Sequence, residues 1–380
     1  MFMSWLIVDV NLFYFSLLIS SGIFFTCFII FSHQLDKQKK YERNAYQHLI
    51  SASEVDCCVV VVVKNEGDTI VNTIENILSF PESLHVLVYD DNTTDDSIER
   101  LKEMGAKFGN RVEVRKLLKR DLFVHPKAFG TEDAFNTVKT DLFLVIDADT
   151  IITHSDFIKA VSALKNEKID VLHIARRNDK KNSIVDKLAD KEELMNMAFH
   201  LTKFNNHQFG GSGYFVKSEI VRGLKYQKGI TSEDTYVLKY VRERGAKIRF
   251  FFTLFAHERA PNNYLSMIKQ RINWLNQSTP FFMNYFLLVL TFAHILFSFS
   301  FAGMLNPLSI GFVFTSLTVS VVLAIEIVIA IKILGQNPLK AFLYTFLLIL
   351  NMIIVMWPIY IVLIIRSTLR NSQYKIVKNQ

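Results

Sequence analysis

Five consecutive valines, Val59 to Val63, constrain this chain more than any other feature of it. β-Branched side chains lose rotamer freedom in a helix and sit well on a pleated strand. A run that is apolar at every position also has no polar face to turn to water. It reads as a strand buried on both faces, as strands are in a parallel sheet covered by helices on each side.

The segments that follow extend this pattern. Lys64-Asn65-Glu66-Gly67-Asp68 reads as a turn and residues 69–79 as a helix. Residues 85–89 form a second strand ending in Asp90-Asp91-Asn92-Thr93-Thr94-Asp95-Asp96, a turn and cap cluster that opens a helix over 97–104. A third strand over 112–117 precedes an irregular stretch around His125-Pro126, then a helix over 133–138 and a strand over 142–146 that ends at Asp147-Ala148-Asp149. This alternation predicts an α/β domain with an open, mostly parallel sheet, in which ligands sit beyond the carboxyl ends of the strands. Further on come a strand over 170–175, a charged helix over about 183–203 and the turn-like Gly210-Gly211-Ser212-Gly213. Thr231-Ser232-Glu233-Asp234-Thr235 then leads into a helix over 236–244, followed by a strand over 247–252. Residues 262–274 carry apolar side chains at helical spacing, with Lys269 and Arg271 between them, as in a helix lying at a membrane surface.

Of the 380 residues 50% are hydrophobic and 21% charged, too apolar for an ordinary soluble protein and too charged for one wholly within a membrane. The two compositions are segregated along the chain. A bilayer core takes about 20 apolar helical residues, and 5–31, 281–302, 307–333 and 341–365 qualify. The expected layout is a retained N-terminal anchor (1–33), a basic cytosolic linker (34–54), a catalytic α/β domain (55–260), an interfacial helix (261–278), about three transmembrane helices (279–366) and a basic tail (367–380). Lys37, Lys39, Lys40 and Arg43 after the first span place the polar domain in the cytosol. The same count puts the basic tail outside, which conflicts with that rule unless one C-terminal segment turns back.

The three cysteines imply neither disulfides nor a structural zinc site. The net charge of +7 is spread over the membrane flanks and the whole domain rather than gathered in a patch, which argues against nucleic acid and for anionic lipid and nucleotide phosphates as partners.

Acidic pairs stand at the strand ends. Asp147 and Asp149, with one residue between, can both reach a Mg²⁺ or Mn²⁺ held mainly by the phosphates of a bound nucleotide; alone, the same tripeptide is common as a turn. Asp90 and Asp91 could accept from a base N–H or help hold the metal, or simply form a polar turn, while Asp95 and Asp96 read as helix caps. Glu233 and Asp234 open a helix, where the dipole stabilises carboxylates without any catalytic role.

These acidic sites in this order, followed by Gln270-Arg271-Ile272-Asn273-Trp274 ahead of an apolar span, resemble the inverting, membrane-bound family 2 glycosyltransferases with a GT-A fold. The resemblance runs over about residues 59–274. The Asn65-Glu66 turn, Gly130…Ala134-Phe135-Asn136 and Glu258…Pro261 fall where synthases of β-linked N-acetylglucosamine polymers and chito-oligosaccharides have similar residues, with hyaluronan and cellulose synthases as more distant relatives. The resemblance implies a UDP-sugar donor, UDP-N-acetylglucosamine foremost, a saccharide or glycolipid acceptor, and Mn²⁺ or Mg²⁺ on Asp147 and Asp149. It further implies nucleotide contacts from Asn65, Glu66, Asp90, Asp91 and Lys127, and Asp234 as general base beside Glu233. Gln270, Arg271, Trp274, Gly211 and Gly213 would line the acceptor and pyrophosphate region, although Trp274 also suits an interfacial anchor and the glycines a tight turn. The sequence departs from the pattern at Asn273, where relatives have arginine, and at Thr131, where they have lysine. Two other readings stay open: a single-addition transferase acting on a polyprenyl phosphate or glycolipid, and a non-catalytic partner of a glycan synthase.

Overall fold

The valine run forms most of β1 (Cys57–Val63), the third strand from one edge of an eight-stranded sheet. The computed structural model describes residues 2–81, 84–117, 126–178, 183–190, 213–227, 232–277, 324–325, 327–333 and 335–343. The other strands are β2 (His85–Asp90), β3 (Val112–Lys116), β4 (Leu142–Asp147), β5 (Ile151–Ile152), β6 (Val171–Asn178), β7 (Tyr214–Lys217) and β8 (Ile248–Glu258). They lie in the order β3-β2-β1-β4-β7-β6-β8-β5. β3, β2, β1 and β4 are parallel, β7 runs antiparallel between β4 and β6, β8 runs parallel to β6, and β5 pairs antiparallel on the far edge. The sheet is therefore mixed, where the sequence predicted a mostly parallel one.

The two-faced burial of β1 is visible residue by residue. Cys57, Val59, Val61 and Val63 join a core built with α2 (Gly67–Leu78), α3 (Ser97–Phe108) and α5 (His154–Asn166). Cys58 and Val60 join another with α4 (Pro126–Thr137) and α6 (Glu233–Glu243). With a strand's period of two, one valine run serves both layers of an α/β/α sandwich. Each such side chain, fully removed from water, contributes about 1.5–3 kcal/mol.

The chain divides into two compact units, Gln34–Asn262 with Ile272–Pro280, and Met1–His33 with Asn263–Arg271 and Phe281–Gln380. The sheet belongs wholly to the first. Residues 34–45, expected as a linker, are the last three turns of α1 (Phe2–Ala45), and Leu35, Glu42 and Ala45 are fully buried. Their spacing of seven and three puts them on one helical face, so the segment is part of the domain. In the second unit, the Lys332 ammonium donates to the Ser32 carbonyl at 3.4 Å. Among the described residues no helix is long and apolar enough to cross a membrane. The side chains of α1 are described from Ser21 onward, and the expected spans over 281–302, 307–333 and 341–365 lie largely outside the described residues, as does the tail over 367–380.

Candidate active site

The parallel half reverses direction at β1. The chain steps outward from β1 to β2 to β3, then crosses back to lay β4 on β1's other side. A crevice opens at the carboxyl ends of β1 and β4, where open α/β sheets receive their ligands. The register sets Val62 beside Asp147 and Val63 beside Asp90, so these two carboxylates flank the end of β1 about two strand spacings, or roughly 10 Å, apart.

Asp147 is held by Lys127, whose Nζ donates to its Oδ1 at 2.6 Å and lies 3.4 Å from Glu233 Oε1. Lys127 enters from the first turn of α4 and Glu233 from the first residue of α6. Gly130 makes the approach of α4 possible: a Cβ there would stand 2.8 Å from Val62 Cγ2 and 3.0 Å from the Tyr89 ring. The lysine and glutamate side chains are 8% and 6% exposed, while that of Asp147 is 40% exposed. Burial works against the lysine's charge, but Asp147 and Glu233 outweigh it and hold the ammonium above its ordinary range. Burial pushes the Glu233 carboxyl up to about 7, opposed by Lys127 and assisted by Asp234 and Asp147.

The Asp149 carboxyl is raised by burial and by Asp147, with Arg176 and Arg259 pulling the other way. Glu66 is likewise raised by burial, then by Asp149, and lowered by Arg259. Arg176 is itself tied to Glu258 at 3.0 Å, linking β6 to β8. Asp234 turns back on its own helix. Its Oδ1 accepts from the Thr235 N–H at 2.7 Å and from the Ser232 hydroxyl, and among the described residues Oδ2 has no hydrogen-bond partner.

The loops after β1 and β2 are stitched together. Asn65, in the left-handed region at φ 55°, accepts through Oδ1 from the Thr94 N–H at 2.7 Å. Ser97 Oγ accepts from the N–H groups of Glu66 and Gly67 at 3.1 and 2.7 Å. Buried Asp91 pairs with Lys64 at 3.3 Å, and Asp90 Oδ1 accepts from the Thr93 N–H at 2.7 Å. Asn65 and Asp90 thus shape the rim of the crevice.

Of the residues singled out by sequence, Asn65, Glu66, Asp90, Asp91, Lys127, Asp147, Asp149, Glu233 and Asp234 stand around the carboxyl ends of β1, β2 and β4. Gly213 does not line an open acceptor path. At φ 74° it is buried against the sheet, and a Cβ would stand 2.8 Å from that of Ala256 and 3.2 Å from Ile174 Cγ1, so the glycine serves strand packing. Gly211 and the side chains of Arg271 and Trp274 lie outside the described residues, and Gln270 belongs to the other compact unit. Sequence reasoning missed Arg176 and Arg259, because nothing local marks the ends of β6 and β8 as converging on the acidic turn. Two hard carboxylates at one strand end, one of them raised by burial and by its neighbour, suit a divalent cation. Among the described residues no group of three or more His, Cys, Asp and Glu is placed to hold one unaided.

A parallel β3-β2-β1-β4 half with paired aspartates at its switch point, continued by an antiparallel strand, is a mixed sheet of the GT-A-like kind expected from the sequence. The chain belongs to the family described as glycosyltransferase like family 2, whose model matches residues 56–277, more than half its length. The succinoglycan biosynthesis protein ExoU of Rhizobium meliloti (strain 1021) is 39% identical over 49 residues, so the match spans 13% of this chain and 14% of that relative. Among solved structures, the mannosyltransferase PcManGT from Pyrobaculum calidifontis, in complex with GDP-Man and Mn²⁺, is 15% identical with a TM-score of 0.47, covering 88% of this chain and 94% of its own. TarS from S. aureus is 14% identical with a TM-score of 0.40, covering 59% of this chain and 40% of its own.

Proposed function

We propose that this chain is an inverting glycosyltransferase that takes a sugar from a UDP-sugar, with UDP-N-acetylglucosamine as the leading donor, and extends a β-linked saccharide at a membrane. The observation that carries transfer itself is the convergence of Asp147, Asp149, Lys127, Glu233 and Asp234 on the switch-point crevice. The donor and polymer rest on the resemblance of the Asn65-Glu66, Gly130–Asn136 and Glu258–Pro261 segments to synthases of N-acetylglucosamine polymers. Membrane residence rests on the four apolar stretches of the sequence and on exposed Phe25, Ile29 and Ile30 in α1, at 62%, 66% and 48%.

In this reading Asp234 takes the acceptor proton through Oδ2, held in place by the bonds to Oδ1. Glu233 and Lys127 fix Asp147 where it faces the donor's diphosphate. Asp147 and Asp149 would hold a Mn²⁺ or Mg²⁺ that, when bound, neutralises phosphate charge. The acceptor oxygen attacks the face of the sugar opposite the leaving group, so configuration inverts as the bond from C1 to the phosphate oxygen breaks.

The test is UDP release by the detergent-purified chain against a panel of UDP-sugars, with and without Mn²⁺, followed by mass spectrometry of the saccharide. A metal-dependent signal with one donor, a ladder of products and its loss in Asp234→Asn is the expected result. One sugar on an extracted lipid would replace extension by single addition. No UDP release from any donor, with Asp234→Asn indistinguishable from the parent, sinks the proposal.

A further inference from the structure

The acidic turn at the end of β4 has an excess of carboxylate, from Glu66, Asp147 and Asp149, and three cations stand near it. Two are already committed in ion pairs and are themselves largely withdrawn from water: Lys127 with Asp147 and Glu233, and Arg176 with Glu258. Arg259, immediately after β8, is different. It is exposed, and it makes no hydrogen bond or ion pair with another described residue. Its position is fixed by the sheet. β5 pairs with β8 antiparallel, Ile152 with Ala256 and Ile151 with His257, so Asp149, in the turn before β5, and Arg259, just after β8, each lie two residues from the last pair at the same end of the two strands.

We infer that Arg259 is the residue that grips the terminal phosphate of the nucleoside diphosphate, an inference that rests on the glycosyl-transfer reading above. A fork of N–H donors on an exposed, uncommitted guanidinium matches a phosphate's oxygens in pairs. The chemistry requires such a group. As the acceptor oxygen bonds to C1 and passes its proton to a carboxylate, the C1–oxygen bond breaks and its electron pair leaves with the β-phosphate, adding negative charge at a site already lined with carboxylates.

The test is calorimetric titration of the full chain in detergent with UDP, UMP and GDP in the presence of Mn²⁺. Arg259→Ala should weaken UDP binding roughly ten- to a hundredfold, the worth of a charge-assisted phosphate contact, and leave UMP binding unchanged. Arg259→Lys should recover part of the loss, since it keeps the charge and loses the fork. Because Arg259 is exposed, the variants should melt as the parent does. Unchanged UDP affinity in Arg259→Ala, or equal losses for UDP and UMP, overturns the assignment while leaving glycosyl transfer standing. A parent chain that binds neither UDP nor GDP removes the donor reading and this inference with it.

Discussion

Lys127 bridges Asp147 at 2.6 Å and Glu233 at 3.4 Å from a position almost closed to water. Replacing it by methionine leaves Glu233 buried without its cation, whereas Asp147, 40% exposed, recovers hydration. Lys127→Met should therefore destabilise the domain by about 3 kcal/mol, measured by denaturant unfolding, and abolish UDP release. The same triad sets a pH dependence. Glu233 titrates near 7 in the folded chain against an ordinary value of 4.5, so its contribution to stability is fully present below about 4.5 and is lost as pH rises through 7. Unfolding free energy should fall between pH 5 and 8, by at most about 1.4 kcal/mol per pH unit from this group, with melting temperature falling in parallel, and Glu233→Gln should flatten that slope. A Glu233→Gln melting profile as steep as the parent's would assign the pH dependence elsewhere. From sequence, Lys127 stood out only by resemblance, since its partners lie 20 and about 100 residues further along the chain.

Helix α4 begins at Pro126, seven residues before the predicted start at 133. Pro126 opens the helix, as proline suits a first turn, but Gly130 weakens the helical signal there, and its reason for being glycine is the close approach to Val62 and Tyr89. A packing constraint of that kind has no local signature. The same holds for α1 and β8. Between Ile174–Phe251 and Ala175–Phe255 the β6–β8 register shifts, so β8 bulges. Glu42 fills the gap. Its carboxylate accepts from the N–H groups of Phe252 and Thr253 at 2.9 Å each, from the Thr253 hydroxyl at 2.5 Å and from the Gln38 amide at 2.9 Å. Burial raises its carboxyl, opposed by these bonds, so the group is held by hydrogen bonding rather than by an ion pair. Glu42→Ala leaves two backbone donors unmet and should cost about 2–4 kcal/mol. Because the bulge sets the register of Arg176 and Glu258 beyond it, the variant should also lose activity out of proportion to the unfolded fraction, measured by single-turnover assay at a temperature where circular dichroism is native.

At the scale of the whole molecule, the parallel half was legible because each βα step is local in sequence: β1, β2, β3 and β4 follow one another, and their acidic ends mark the crevice. The antiparallel half was not. β4 finds its next neighbour in β7, Val145 beside Tyr214, across a separation that propensity cannot bridge, and β7 is only four residues long behind a glycine-rich segment. The same non-locality hid the true start of the domain, which opens with the end of α1 rather than with β1. This sets a prediction on where the chain can be cut. A chain of residues 34–280 keeps Leu35, Glu42 and Ala45, all fully buried, whereas residues 55–280 lose them and uncover the β8 bulge. Losing the Glu42 bonds and that apolar burial should remove about 4 kcal/mol or more. For a domain of this size that lowers Tm by roughly 10 °C. Differential scanning calorimetry of the two shortened chains decides it. Equal melting temperatures would make residues 34–54 the linker that their charge suggests, and a lower one for residues 55–280 would place the last turns of α1 inside the catalytic domain's folding unit.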